Sequence, residues 1–297
     1  MSAPAEPPRI AGRYINLARS PDRDAFMQAQ LAQRGMAWVQ RHVAVDGAQV
    51  PLPAGCKLLP GEYGCFLSHQ QVLREAPADT HLLVLEDDAE LSLQLPQLLA
   101  QIVASRVDAD IVMLECQPHF SLQHLAPLWE SASRHLQVAE DGTRSVTGID
   151  LLEGARFFKW GCTAYLVTPA GRERFLALIQ SWLDAGPVTP IDRCMEAAFA
   201  GGQLRAFITV PFLATVGVQW HGRSTVGNGW RVPPDTLMVL RRLLYAGPIG
   251  EVQAMAQRMA DMPSDPALEM FALVLRDVAA LHRNEARRVG AGAQAGG

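Results

Sequence analysis

The sequence predicts an α/β fold, a mostly parallel sheet covered by helices, on three observations. Short strand-like apolar runs alternate with amphipathic helical stretches along most of the chain. Several runs, such as Leu82 to Leu85 and Ile111 to Leu114, are continuously apolar, the pattern of strands buried on both faces. Helix-opening residues follow the strand ends, as in βαβ units. At 297 residues and 49% hydrophobic, the chain can bury the core such a fold requires.

Taken in order, RYINL (13–17) reads as the first strand, and Ser20 with Pro21 opens a helix that closes near Gly35. WVQRHVAV (38–45) is the second strand, GEYGCFLSHQQVLREA (61–76) a helix, HLLVL (81–85) the third strand and ADIVMLE (109–115) the fourth. A further apolar run lies in 156–168, followed by Pro169 and a helical stretch, a short helix over 189–201 and the strand RAFITV (205–210). Beyond Pro233-Pro234, residues 235–260 and 266–286 read as two amphipathic helices, a C-terminal helical appendage expected to pack on the main domain. The expected organisation is a tail over 1–12, a main domain over 13–233, the appendage over 234–288 and a flexible tail over 289–297.

Composition narrows the function. A net charge of -4 and a pI near 6.1 leave no basic footprint for a phosphate backbone, so nucleic acid is not the expected substrate. The five cysteines, at 56, 65, 116, 162 and 194, are scattered without a CxxC pair. That argues against a disulfide framework and against a cysteine-based zinc site, and fits a reducing compartment. The first ten residues lack the charged and apolar regions of a signal peptide, and no run approaches the ~18 apolar residues of a membrane span. The expectation is a cytoplasmic protein without a transmembrane segment, with peripheral contact at the inner membrane left open.

The most informative stretch is HLLVLEDDAEL, in which Glu86, Asp87 and Asp88 follow directly on a buried strand. Like charges about 4 Å apart repel by roughly 4 kcal/mol at an effective dielectric of 20, so such a group needs a cation or a proton. Hard oxygen ligands at the carboxyl end of a strand suit Mg²⁺ or Mn²⁺ together with substrate phosphates. The plain alternative is a solvated acidic turn. INLARSPDR places Asn16, Arg19 and Arg23 just after the first strand, where backbone amides and guanidinium groups can meet phosphate. Neither GxGxxG nor GxxxxGKS is present, which counts against a Rossmann dehydrogenase or a phosphate-loop NTPase.

Asp46-Gly47 forms a turn that can contact a base or ribose, and Ser68-His69 lies inside a helix where either packing or ligand contact is open. Asp192, near a helix start after Pro190, is either a cap or a carboxylate that accepts a proton from an acceptor hydroxyl. In QWHGRSTVGNG, His221 can offer a nitrogen to a metal, while Arg223, Ser224 and Thr225 can hold phosphate oxygens.

The segments YINLARSPDR, VAVDG, GEYGCFLSH, HLLVLEDDAEL, GCTAYLVTPAG, PIDR and QWHGRSTV, in this order, resemble glycosyltransferase family 25. That family comprises lipopolysaccharide and lipooligosaccharide galactosyltransferases and also collagen galactosyltransferases. The resemblance implies a GT-A-like, Rossmann-type fold for 13–233, a UDP-sugar donor, frequently UDP-galactose, a glycan or glycolipid acceptor, and Mn²⁺ held by the acidic motif. Carried over by position, it sets Asn16, Leu17, Arg19 and Arg23 near the nucleotide, Asp46 and Gly47 beside base or ribose, and Ser68 and His69 in the donor pocket. Glu86, Asp87 and Asp88 match the acidic motif that holds the metal, to which His221 is added from the reading of its own loop, and Asp192 matches the acidic residue near the acceptor. Two other readings stay open: a catalytically silent glycan- or nucleotide-binding scaffold, and a sugar nucleotidyltransferase.

Overall fold

The structure, a computed structural model, describes residues 9–119, 121–138, 144–220 and 234–248, with isolated positions 254 and 257. The first half of the fold runs β1 (Ile10–Asn16), α1 (Pro21–Gln33), β2 (Val39–Val43), α2 (Pro60–Glu75), β3 (His81–Glu86), β4 (Ala89–Leu91), α3 (Leu95–Ala104) and β5 (Ile111–Met113). It continues through β6 (Gln117–Pro118), α4 (Leu122–His135), β7 (Leu136–Val138), β8 (Arg144–Val146), β9 (Asp150–Glu153), α5 (Gly154–Phe157) and β10 (Phe158–Trp160). The last elements are β11 (Ala164–Val167), α6 (Pro169–Asp184), α7 (Ile191–Ala200), β12 (Ala206–Val210), β13 (Ala214–Val216) and α8 (Pro234–Leu244).

The central sheet has the order β2-β1-β3-β11-β5-β12-β9. Strands β2, β1, β3, β5 and β12 share one direction, and β11 and β9 run against it. The largely parallel sheet expected from the apolar runs is therefore present, with two reversed strands. Strand β3 shows why the run is continuous. Leu82 and Val84 point into a core formed with α2, α6 and α7, while Leu83 and Leu85 point into a second core formed with α1 and α3. All four are completely buried, and each contributes roughly 1.5–3 kcal/mol by leaving water.

Local chemistry sets the helix starts. Helix α2 begins with Pro60, and the Glu62 carboxylate accepts a hydrogen bond from the Leu59 amide at 2.8 Å, satisfying one of the donors a helix start leaves free. Helix α6 begins with Pro169, and the Thr168 hydroxyl accepts from the Gly171 amide at 3.0 Å. The apolar run expected over 156–168 is broken into α5, β10 and β11. Gly161 makes the break, with φ at +103°, a conformation that favours glycine.

Helix α8, where the expected appendage starts, packs into the main core. Met238, Val239, Leu240, Leu243 and Leu244 are buried, and Arg242 forms an ion pair with Glu90 of β4. The second expected helix, 266–286, lies outside the described residues. Among the described residues, no helix is long and apolar enough to cross a membrane.

Candidate active site at the carboxyl edge of the sheet

Strands β1 and β3 run in parallel, so Asn16 and Glu86 come to the same edge of the sheet. Because β11 is reversed, its amino end lies at that edge too, and the Glu86 amide donates to the Thr163 carbonyl at 2.8 Å. The acidic triplet thus leaves β3 at the carboxyl edge, where open α/β sheets hold ligands.

The three carboxylates then take different directions. Glu86 accepts from the Cys162 thiol at 3.1 Å and lies 3.6 Å from His69 Nε2. Asp87 accepts from Asn16 Nδ2 at 2.7 Å and from Arg23 Nη1 at 2.9 Å. Asp88 receives only a longer contact from Arg23, 3.3 Å to Oδ2, and its buried Oδ1 has no hydrogen-bond partner among the described residues. Burial, reinforced by the charges of Glu86 and Asp87, pushes the Asp88 carboxyl up to about 7. Arg23 is itself held in place, its Cζ lying 5.2 Å from the centre of the Trp220 ring.

Further residues the sequence singled out stand just after β1, in the turn after β2 and on α2. Arg19 is exposed and pairs with Asp46, whose carboxyl lies below the usual carboxylate range because of that hydrogen bond. Asp46 also caps the turn Gly47–Gln49 by accepting from the Ala48 amide at 3.1 Å. A β-carbon on Gly47 would fall 1.6 Å from the Pro60 carbonyl oxygen, and one on Gly64 would fall 2.6 Å from that of Val45. These glycines let α2 start directly against the turn. Ser68 ties the same junction, accepting from the Val45 amide at 2.9 Å and donating to the Gly64 carbonyl at 2.7 Å. Leu17 accepts from the Ser20 amide at 2.9 Å through its carbonyl, closing the turn into α1.

Asp192 opens α7. Its carboxylate accepts from the Gly161 amide at 3.1 Å and from the Arg193 amide at 2.8 Å, and burial raises it above the usual range. His221, Arg223, Ser224 and Thr225 lie outside the described residues. The other acids that the strand pattern brings forward have separate partners. Asp110 binds Arg174 and the Arg205 amide, away from the triplet. Glu115 is completely buried and accepts from Arg241 of α8 at 2.7 Å, and Arg241 also donates to Thr163 at 3.0 Å.

Beneath the triplet the structure gathers a group that sequence spacing hid. Cys65, His69, Glu86 and Cys162 bring a sulfur, nitrogen or oxygen atom each within 4.8 Å of one another. All five cysteines are free, as expected, but two of them converge with a histidine and a carboxylate, contrary to the expectation of a purely scattered set. Burial acts to lower His69, yet the neighbouring Cys65 and Glu86 hold it up at about 10. The hydrogen bond with Cys162 brings Cys65 down to about 7 against burial, with His69 adding to the effect. The one local signal was the Cys65 and His69 spacing, which places both on one face of a helix.

A family model described as Glycosyltransferase family 25 (LPS biosynthesis protein) matches residues 13–195, more than half of the chain and all of the strands and turns that build this site up to Asp192. The chain belongs to glycosyltransferase family 25. Similarity among solved structures includes a crystal structure of mouse xyloside xylosyltransferase 1 in its apo form. That likeness has a TM-score of 0.31 and 11% identity, over 66% of this chain and 70% of the other. Comparison with curated proteins returns no match. Family membership makes the chain a glycosyltransferase by class, and its matched span reaches from β1 into α7.

Proposed function

We propose that this family 25 protein transfers a sugar from a UDP-sugar to a hydroxyl of a glycan, glycolipid or protein-linked acceptor in surface-glycan biosynthesis, in an inverting, metal-dependent reaction on a GT-A-like fold. Galactose is the donor sugar to which the family resemblance points. The observation that carries the reading is Asp88, a half-buried carboxylate just past the carboxyl end of β3, whose buried Oδ1 has no hydrogen-bond partner among the described residues. Hard oxygen donors of this kind fit Mn²⁺ or Mg²⁺. A bound cation, held by Asp88 with His221 as the further expected ligand, would neutralise charge on the departing diphosphate.

The chain's own residues do the rest. Arg23 and Asn16 hold Asp87 and so fix the turn that presents Asp88. Asn16 at the end of β1, Leu17 and Arg19 just after it, and Asp46 and Gly47 in the turn after β2 are the residues we read as a nucleotide subsite, with Arg223, Ser224 and Thr225 as expected phosphate contacts. Asp192 takes the proton of the acceptor hydroxyl, whose oxygen attacks the anomeric carbon as the bond to the diphosphate breaks. Burial suits it to this role, because a carboxylate whose affinity for protons is raised is a better base.

The test is a panel of nucleotide sugars offered with Mn²⁺ and a glycan acceptor, scored by the product released. Release of a nucleoside diphosphate with sugar transfer is expected. Release of pyrophosphate would mark a nucleotidyltransferase, and indifference to every donor would mark a binding scaffold.

A further inference from the structure

The cluster under the acidic triplet has the make-up of a metal site of a different kind. Cys65 and His69 project from the same face of α2, Glu86 closes β3, and Cys162 stands just before β11, the strand that pairs with β3. Three separate elements are thus brought to one point. The ligand atoms lie within 4.8 Å of one another. Four donors around Zn²⁺, at about 2.0–2.3 Å from the ion, are roughly 3.3–3.8 Å apart in a tetrahedron, so side-chain shifts of about 1 Å close the set.

Two independent details point to a ligand at the centre. His69 is 1% exposed, and its Nε2 is buried without a hydrogen-bond partner among the described residues. The nearest carboxylate, Glu86 Oε1 at 3.6 Å, is beyond hydrogen-bond distance, so this buried nitrogen lacks the partner that a bound metal, displacing any proton there, would supply. The other ring nitrogen, Nδ1, is 2.7 Å from the Tyr165 hydroxyl. With metal on Nε2, Nδ1 would donate to this hydroxyl, the kind of contact that fixes the orientation of a ligating histidine.

We propose that Cys65, His69, Glu86 and Cys162 form a structural zinc site. Two thiolates, one imidazole and one carboxylate make a soft, closed, four-ligand set that suits Zn²⁺ and disfavours the hard cations expected at Asp88. With all four positions filled by protein, the ion has no open place for substrate, so its role is to pin α2, the end of β3 and the start of β11 together. That anchorage holds Glu86 away from Asp88 and fixes the base of the triplet.

The test uses the full chain, reduced, stripped with a chelator and titrated with Zn²⁺ alone or Co²⁺ alone, without any turnover. One equivalent of Zn²⁺ should bind and raise the melting temperature. Co²⁺ should give thiolate-to-metal charge-transfer absorption with the intense visible bands of a tetrahedral ion. Cys65→Ser and Cys162→Ser should each weaken the charge-transfer band and the binding, and Asp88→Asn should leave both in place. Should a cysteine variant fail to fold, Tyr165→Phe keeps every ligand and should lower zinc affinity by about 10–100-fold. Cobalt absorption without a thiolate band, zinc uptake unchanged by the cysteine variants, or a Cys65–Cys162 disulfide formed in place of metal binding would each overturn the proposal.

Discussion

Arg23→Met tests whether one buried guanidinium holds the acidic turn together. The Arg23 side chain is 7% exposed, with Nη1 at 2.9 Å from Asp87 and 3.3 Å from Asp88. At an effective dielectric of 20, these contacts are worth about 6 and about 5 kcal/mol of gross attraction. Desolvation of the three groups offsets much of that, and removing one partner of a buried pair costs a net ~3–5 kcal/mol because the remaining charge is stranded. Methionine keeps most of the volume against Trp220, so packing loss is small by comparison. At roughly 2–4 °C per kcal/mol, the metal-free variant should melt about 6–20 °C below the parent at pH 8.

The pH dependence separates charge from shape. Asp88 sits near 7 in the folded protein, so at pH 5.5 it carries a proton and only the Asp87 contact is lost. The gap between parent and variant should therefore shrink to about half its pH 8 value. Adding Asp87→Asn to the variant should recover a large part of the loss at pH 8. Calorimetry or dye-monitored melting with chelator present measures both. A loss under about 1 kcal/mol, or one of equal size at the two pH values, would refute the reasoning.

Three further outcomes follow from the same geometry. Arg242, 1% exposed, donates to Glu90 at 2.9 Å, so Arg242→Met should cost ~3–5 kcal/mol and speed amide hydrogen exchange in α8. Asp192→Asn should lower kcat by about 10²–10⁴. In the parent, kcat/KM should rise with pH through a group above the ordinary carboxylate range, since the base works only when ionised and burial raises it; the variant should lack that limb. Burial acts to raise Asp150, but Ser131 and Arg134, each at 2.7 Å, and His135 at 3.0 Å hold it down at about 2. This depressed group stabilises the fold fully above its unfolded value of 3.8, and the contribution is lost as pH falls from there toward 2. Asp150→Asn should thus lower the urea midpoint at pH 7, and the difference should fade over that acid window.

The strands most legible in the sequence are those buried on both faces, β3 and β5, because a continuous apolar run has few other homes. Direction was not legible. The run Ala164 to Val167 looks the same whether its strand is parallel or reversed, yet its reversal is what carries Cys162 and Thr163 to the site. The acidic triplet was conspicuous, but its division into three directions depends on Arg23, Asn16 and Cys162, which come from separate elements. The roles of Arg241 and Arg242 were hidden for a similar reason. On a helical stretch beyond two prolines, two adjacent arginines look like a solvated face, and only the docking of α8 shows Arg242 buried against Glu90 and Arg241 half-buried against Glu115. Gly47 and Gly64 were visible as letters of motifs, while the carbonyl contacts that require them are long-range.

The central claim is that Asp88 holds the cation through which a UDP-sugar donor binds. Isothermal titration of UDP into the parent and Asp88→Asn, with Mn²⁺ and then with chelator, tests it most directly. The account predicts binding by the parent that depends on Mn²⁺, and a loss of at least ~10-fold in affinity, about 1.4 kcal/mol, in the variant. Equal binding by the two proteins, or binding by the parent that is indifferent to Mn²⁺, would contradict it.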